Sequence, residues 1–144
     1  LFKRIPILTL GIGLMLLLWV FHSVQDYTSK YFREYPLYSA DFWGWQYGAR
    51  DIITYFATHE SSYDELFMEG AFNGAYIFFN FYAPNDCRSC TLGLPHERYD
   101  ITKRQLFAVT PYYLEEHPEI QFKILKTLFY PDKKVAFQIG EIVQ

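Results

Sequence analysis

An uncharged run from Ile5 to Phe21 (IPILTLGIGLMLLLWVF), with Lys3 and Arg4 directly before it, constrains this chain more than any other feature. A stretch of ~17 residues is at the lower limit for one helix across a bilayer. His22, Ser23 and Val24 extend it by a turn at the far interface, where Trp19 and Phe21 serve as interfacial aromatics. A signal peptide also has a basic start and an apolar run, but no Ala-x-Ala-like site follows Phe21, where the chain reads HSVQDYTSKYF. A buried helix of a soluble domain presents one apolar stripe, and this run is apolar on every face. The run is therefore read as a membrane helix. Lys3 and Arg4 favour the cytoplasmic side, which sends residues 28–144 to the periplasmic or extracellular side. The chain opens with Leu in place of Met. Residues 1–27 are accordingly read as the last transmembrane helix of a longer integral membrane protein, and 28–144 as its extracytoplasmic C-terminal domain.

A domain of that length can bury a real core. Aromatics are 21% of the chain, more than a core needs, so part of them is expected on a surface near membrane lipid. The formal charge is −3 and the basic residues past Arg4 come at most in pairs, such as Lys133-Lys134, which excludes nucleic acid as a partner, since phosphate neutralisation needs a clustered positive surface.

Cys87 and Cys90 stand in DCRSCT. Outside the cytoplasm this pair is a disulfide candidate, a staple on a loop. A thiol redox centre needs the pair at a helix start, and Leu92-Gly93-Leu94-Pro95 is a poor one. A zinc site needs about two more ligands, and His96 alone is near. No metal ligand set is therefore assigned. Haem attachment fails because Thr91 stands where a His is required.

Periodicity predicts a small mixed-sheet α/β domain after the membrane helix, closed by a C-terminal β-hairpin. Asp26–Pro36 is read as a linker. Asp41–Thr58 reads as a helix, with Trp45, Ala49, Ile52, Ile53 and Phe56 on one face and Ser39 or Asp41 as its cap. Asp64–Glu69 reads as a short strand and Ala71–Tyr82 as a second helix, with Asn73 and Asn80 on its polar face. Residues 83–101 read as a long loop. Gln105–Thr110 is a further strand and Tyr112–His117 one helical turn. Phe122–Tyr130 and Val135–Ile142 pair around Pro131-Asp132-Lys133-Lys134. A strand–helix–strand order favours a parallel right-handed crossover.

Trp45-Gln-Tyr-Gly-Ala-Arg50 after a Tyr-rich approach, an aromatic helix, and the tail Leu128-Phe-Tyr-Pro-Asp-Lys-Lys-Val-Ala-Phe-Gln-Ile-Gly-Glu-Ile142 carry a resemblance. Together they resemble the C-terminal outer domain of GT-C glycosyltransferases of the dolichyl-phosphate-mannose–protein mannosyltransferase type and their polyprenyl-phosphate-sugar-using bacterial relatives. In that group the tail turn often reads Tyr-Pro-Asp-Gly. Lys133 stands here at the Gly position, so a different turn type is expected.

The resemblance implies an inverting transferase that moves a sugar from a polyprenyl-phosphate donor to a glycan, lipid or protein acceptor outside the membrane. Its catalytic acid, and often a divalent metal, belong to the first outer loop of the membrane part, upstream of Leu1. No catalytic residue and no cofactor is thereby assigned to this chain, and its domain would be accessory. The alternative is a membrane-tethered extracytoplasmic interaction or sensor module without catalysis. The candidate binding residues are Trp43, Trp45, Gln46, Tyr47 and Arg50, beside Tyr38. Sugar rings stack on aromatic faces, and the amide and guanidinium can bind hydroxyls or phosphate. Membrane-proximal packing is the competing role for the rings. Asp64, Glu65 and Glu69 surround one strand, but carboxylate-pair chemistry needs a fixed separation and one raised pKa. His22, His59, His96 and His117 are scattered.

Overall fold

The computed structural model describes residues 7–83 and 87–143, so Lys3, Arg4 and Ile5 lie outside the described residues. It divides into two compact units, Leu1–Ser39 and Ala40–Gln144. The division falls later than residue 27 because the expected linker is helical. Helix α1 (Ile7–Ser29) passes into a π turn (Lys30–Glu34) and then α2 (Tyr35–Tyr38). From Thr9 to Tyr38 this is one helix of 30 residues, long and apolar enough to cross a membrane, with none of its apolar window buried. The rings of Tyr27, Tyr31 and Tyr35 stack one turn apart, at 5.9 and 6.1 Å. That spacing is the helical i, i+4 contact, which supports a segment whose polarity reads as a link. Pro36 sits in the first turn of α2, directly after the π turn. Proline withdraws a donor from the helical ladder, and a π turn is a common local adjustment to such a break.

The second unit is built on five strands in the order β2-β1-β3-β5-β4. They are β1 (Glu65–Met68), β2 (Cys90–Leu92), β3 (Gln105–Val109), β4 (Phe122–Phe129) and β5 (Val135–Ile142). The sequence supplies β1 and β3 as expected, and they are parallel neighbours. Strand β2, inside the expected loop, pairs parallel on the other side of β1. The hairpin β4–β5 joins through β5, antiparallel to β3.

Alternation along the strands makes two cores. Leu66, Met68, Leu106, Ala108, Ala136 and Ile139 pack with Ile52, Ile53 and Phe56 of α3 (Ala49–His59) and Ala75 of α4 (Ala75–Tyr82). Phe67, Phe107, Val109 and Tyr113 make the other, with Leu94 against it. Helix α4 leads from β1 to β2 over the first face. Helix α5 (Pro95–Arg98) leads back across β1 towards β3 over the second face, where α6 (Pro111–Glu116) also lies. Reversing direction and face together keeps one hand for both crossovers, as the right-handed rule requires.

Helix α3 starts later than its apolar spacing predicts. Trp43–Trp45 is a 3-10 turn, and Gly48, at φ 93°, is the residue before the first helical turn. Such a φ suits glycine and interrupts a right-handed helix. Neither expected cap serves there: Ser39 bonds back to the Tyr35 carbonyl, and Asp41 pairs with Lys134 at 3.1 Å. Helix α4 likewise starts after Gly74, at φ 69°, so Phe72 is core without being helical and Asn73 lies outside the helix.

In the tail turn the Lys133 N–H donates to Tyr130 and the Tyr130 N–H to Lys134, at 2.9 and 2.8 Å. Lys133 has φ 70°, so the lysine adopts the left-handed geometry that closes a three-residue hairpin loop with a bulge. A Cβ is strained there, by ~1–2 kcal/mol before the entropic penalty of glycine is subtracted. Lys133→Gly is therefore expected to raise stability by ~0.5–1 kcal/mol, read as a higher denaturant midpoint at unchanged slope.

Candidate functional site

The segment predicted to bind is mostly engaged by the domain itself. The Gln46 side-chain carbonyl accepts the Asn73 N–H, which fastens the turn to the approach of α4. The Tyr47 hydroxyl donates to the Phe129 carbonyl at 2.9 Å, and its ring leans on Tyr130 at 5.2 Å. These two residues clamp the start of α3 to α4 and the hairpin. Arg50 is exposed beside Asp51, with Nε 3.3 Å from the carboxylate. Trp45 is exposed and meets Phe42 edge-on at 6.3 Å. The Trp43 side chain lies outside the described residues. Of the predicted set, Trp45 and Arg50 are exposed, while Gln46 and Tyr47 make hydrogen bonds that hold the fold.

Cys87 and Cys90 form a disulfide, with Cα atoms 5.3 Å apart. Glu60, just past α3, grips the two residues between them. One carboxylate oxygen accepts from the N–H of Arg88 (2.6 Å), the N–H of Ser89 (3.0 Å) and the hydroxyl of Ser89 (2.9 Å). In a redox pair such N–H groups stabilise a thiolate. Here a carboxylate takes them, and its negative charge opposes one. The pair therefore reads as a staple on the loop that enters β2, and Glu60 ties that loop to the end of α3. Among the described residues no group of three or more His, Cys, Asp or Glu is arranged to hold a metal ion.

The Ser89 and Arg88 hydrogen bonds hold the Glu60 carboxyl below its ordinary range. A depressed folded-state pKa gives stability that is complete above the unfolded value, ~4.3, and is lost as pH falls through the folded value. Glu60→Gln should cost ~1 kcal/mol at neutral pH and flatten the acid limb of a stability–pH curve. Glu60→Ala should cost ~1–3 kcal/mol by leaving donors unmet, and should speed reduction of the disulfide by added thiol.

The three acids around β1 are likewise employed by the fold. Asp64 accepts the Arg104 N–H at 2.8 Å, and Glu65 takes Lys103 and Gln105, both at 2.6 Å. Glu69 takes the N–H and hydroxyl of Thr110.

That last contact leads to a cluster that sequence spacing does not reveal. Thr110 caps α6 by accepting the Tyr113 N–H at 3.2 Å. The Tyr113 hydroxyl accepts the His96 backbone N–H at 3.1 Å and lies 3.0 Å from His96 Nδ1. With the backbone N–H donating to it, the hydroxyl still has its own proton to give to Nδ1 in the tautomer that carries the ring proton on Nε2. His117 stacks on His96 at 5.1 Å and leans, tilted, on Tyr113 at 4.5 Å, and its Nδ1 is 3.1 Å from Glu119. Burial pushes the Tyr113 hydroxyl up, and Glu119 is held low by its own backbone N–H and by His117.

His96 and Tyr113 follow the carboxyl ends of parallel β2 and β3, where α/β sheets gather functional groups. A cavity of about 510 Å³ opens beside them, lined among others by His96, Tyr99, Glu119 and Ile142. The arrangement can hold a hydroxyl or relay a proton. Among the described residues no serine, threonine or cysteine hydrogen-bonds to His96 or His117 as a nucleophile would. The sequence signal available was weak: four scattered histidines, two of them next to prolines that start or follow short helices.

Comparison of the chain with protein-family models, with curated proteins and with solved structures finds no match. Fold and site together define an apolar, membrane-length N-terminal helix followed by a mixed α/β domain.

Proposed function

We propose that this chain is anchored in a membrane and that residues 40–144 form an accessory, extracytoplasmic domain of a polyprenyl-phosphate-dependent glycosyltransferase. The domain positions the acceptor or stabilises the membrane part, and the catalytic acid and any divalent metal reside in that membrane part. The carrying observation is the helix from Thr9 to Tyr38, unburied along its apolar window, joined to a small domain of the kind the resemblance implies. A second observation supports the accessory role. Asp64, Glu65 and Glu69, the acids around β1, all bond to backbone or side chains of the fold.

The test is the intact mass of the polypeptide from its native membrane, together with sugar transfer from a polyprenyl-phosphate sugar by the purified protein. A mass several times 17.2 kDa with transfer activity is the expected result. A native polypeptide near 17.2 kDa would overturn the reading in favour of the tethered module.

A further inference from the structure

Helix α4 has an outward face that its own domain does not explain. Ala75, Phe78 and Phe79 turn to the core, while Tyr76, Ile77 and Phe81 are 65%, 54% and 74% exposed. Residues 70–83 (GAFNGAYIFFNFYA) contain no charge. An exposed face of this kind marks a contact surface, because a soluble domain usually dilutes such groups with charge.

We propose that the outward face of α4 rests in the headgroup layer of the bilayer that the apolar helix of this same chain enters. Two arguments select lipid as the occupant. Tyrosine, phenylalanine and uncharged amide side chains match the interfacial layer, where rings are stable and a fixed charge is not needed. The tether keeps the domain at the membrane at high effective concentration, so a small apolar face suffices where a free domain would need a larger one. Because α4 is uncharged, the contact requires no anionic lipid. The inference rests on the membrane anchor and is independent of glycosyl transfer.

The two native cysteines are paired, so one introduced cysteine can carry a nitroxide. Phe81→Cys and Ile77→Cys are compared with Tyr112→Cys, a 66% exposed control on α6 over the opposite face of the sheet. The full chain is reconstituted in phosphatidylcholine vesicles, with unchanged circular dichroism required of each variant. At positions 77 and 81 collisions with a water-soluble nickel chelate should fall several-fold relative to position 112, while collisions with oxygen rise. The pattern should persist when phosphatidylglycerol is added. Nickel access equal at all three positions would overturn the proposal. Loss of both nickel and oxygen access at 77 and 81 would also overturn it, since that is the signature of a covering protein surface.

Discussion

Gly140→Ala should destabilise the α/β domain by ~3 kcal/mol, a drop of ~10–20 °C in its melting midpoint. Gly140 sits within β5, paired with Phe107 of β3 on one side and Ile124 of β4 on the other. A Cβ there would overlap the Lys123 carbonyl oxygen and stand 2.8 Å from the Phe122 ring and 3.0 Å from the Lys123 carbonyl carbon. Backbone cannot swing aside as a flexible side-chain tip can, so the strand pair itself must part. The cause is in β4. The register shifts between Ile124 and Lys126, which leaves Leu125 as an extra residue, and a bulge of this kind bends its strand. Gly70→Ala is the control: its Cβ would meet nothing within 4 Å, so its midpoint should hold or rise slightly. A Gly140→Ala protein that melts with the parent would mean that the bulge can relax.

Gly140 also shows where sequence reading stops. The alternation of β5 is legible, but the approach of Lys123 depends on a bulge in another strand. The long apolar helix is legible because absence of charge is a local property. So are β1, β3 and the hairpin, whose apolar runs need no partner to be recognised. Apolar spacing predicts too early a start for α3 because Trp45 falls in step with Ala49, Ile52 and Phe56, while the left-handed Gly48 between them does not register in a count of apolar spacings. Strand β2 and helix α5 escaped notice because three or four residues cannot display a period. The predicted binding segment is a different case. Its residue types suit a glycan, yet Gln46 and Tyr47 have partners 27 and 82 positions away that consume their polar groups. His96, Tyr113 and His117 met the opposite fate: unremarked by spacing, they are assembled by the return of the chain to adjoining parts of one sheet.

Phe107→Ala should cost ~3–5 kcal/mol, and its effect should be felt at that histidine cluster. Phe107 is wholly buried and stacks on Phe67 at 5.2 Å in the core that also holds Tyr113. Truncation removes the ring and leaves a cavity in the middle of β3, a strand buried on both faces that cannot collapse without moving two layers. Phe67→Ala should be costly too, but the double variant should fall short of the sum by ~0.5–1.5 kcal/mol, the worth of the ring pair. Phe56→Ala supplies the comparison, since Phe56 is equally buried but belongs to the core on the other face. Both single variants lose stability to a similar degree. Only Phe107→Ala loosens the ring of Tyr113, whose hydroxyl fixes His96, so the imidazole proton resonances of His96 and His117 should shift in that variant and hold in Phe56→Ala. Equal shifts in both would mean that the two faces of the sheet are mechanically one core, and that the histidine cluster reports global loosening instead of its own packing.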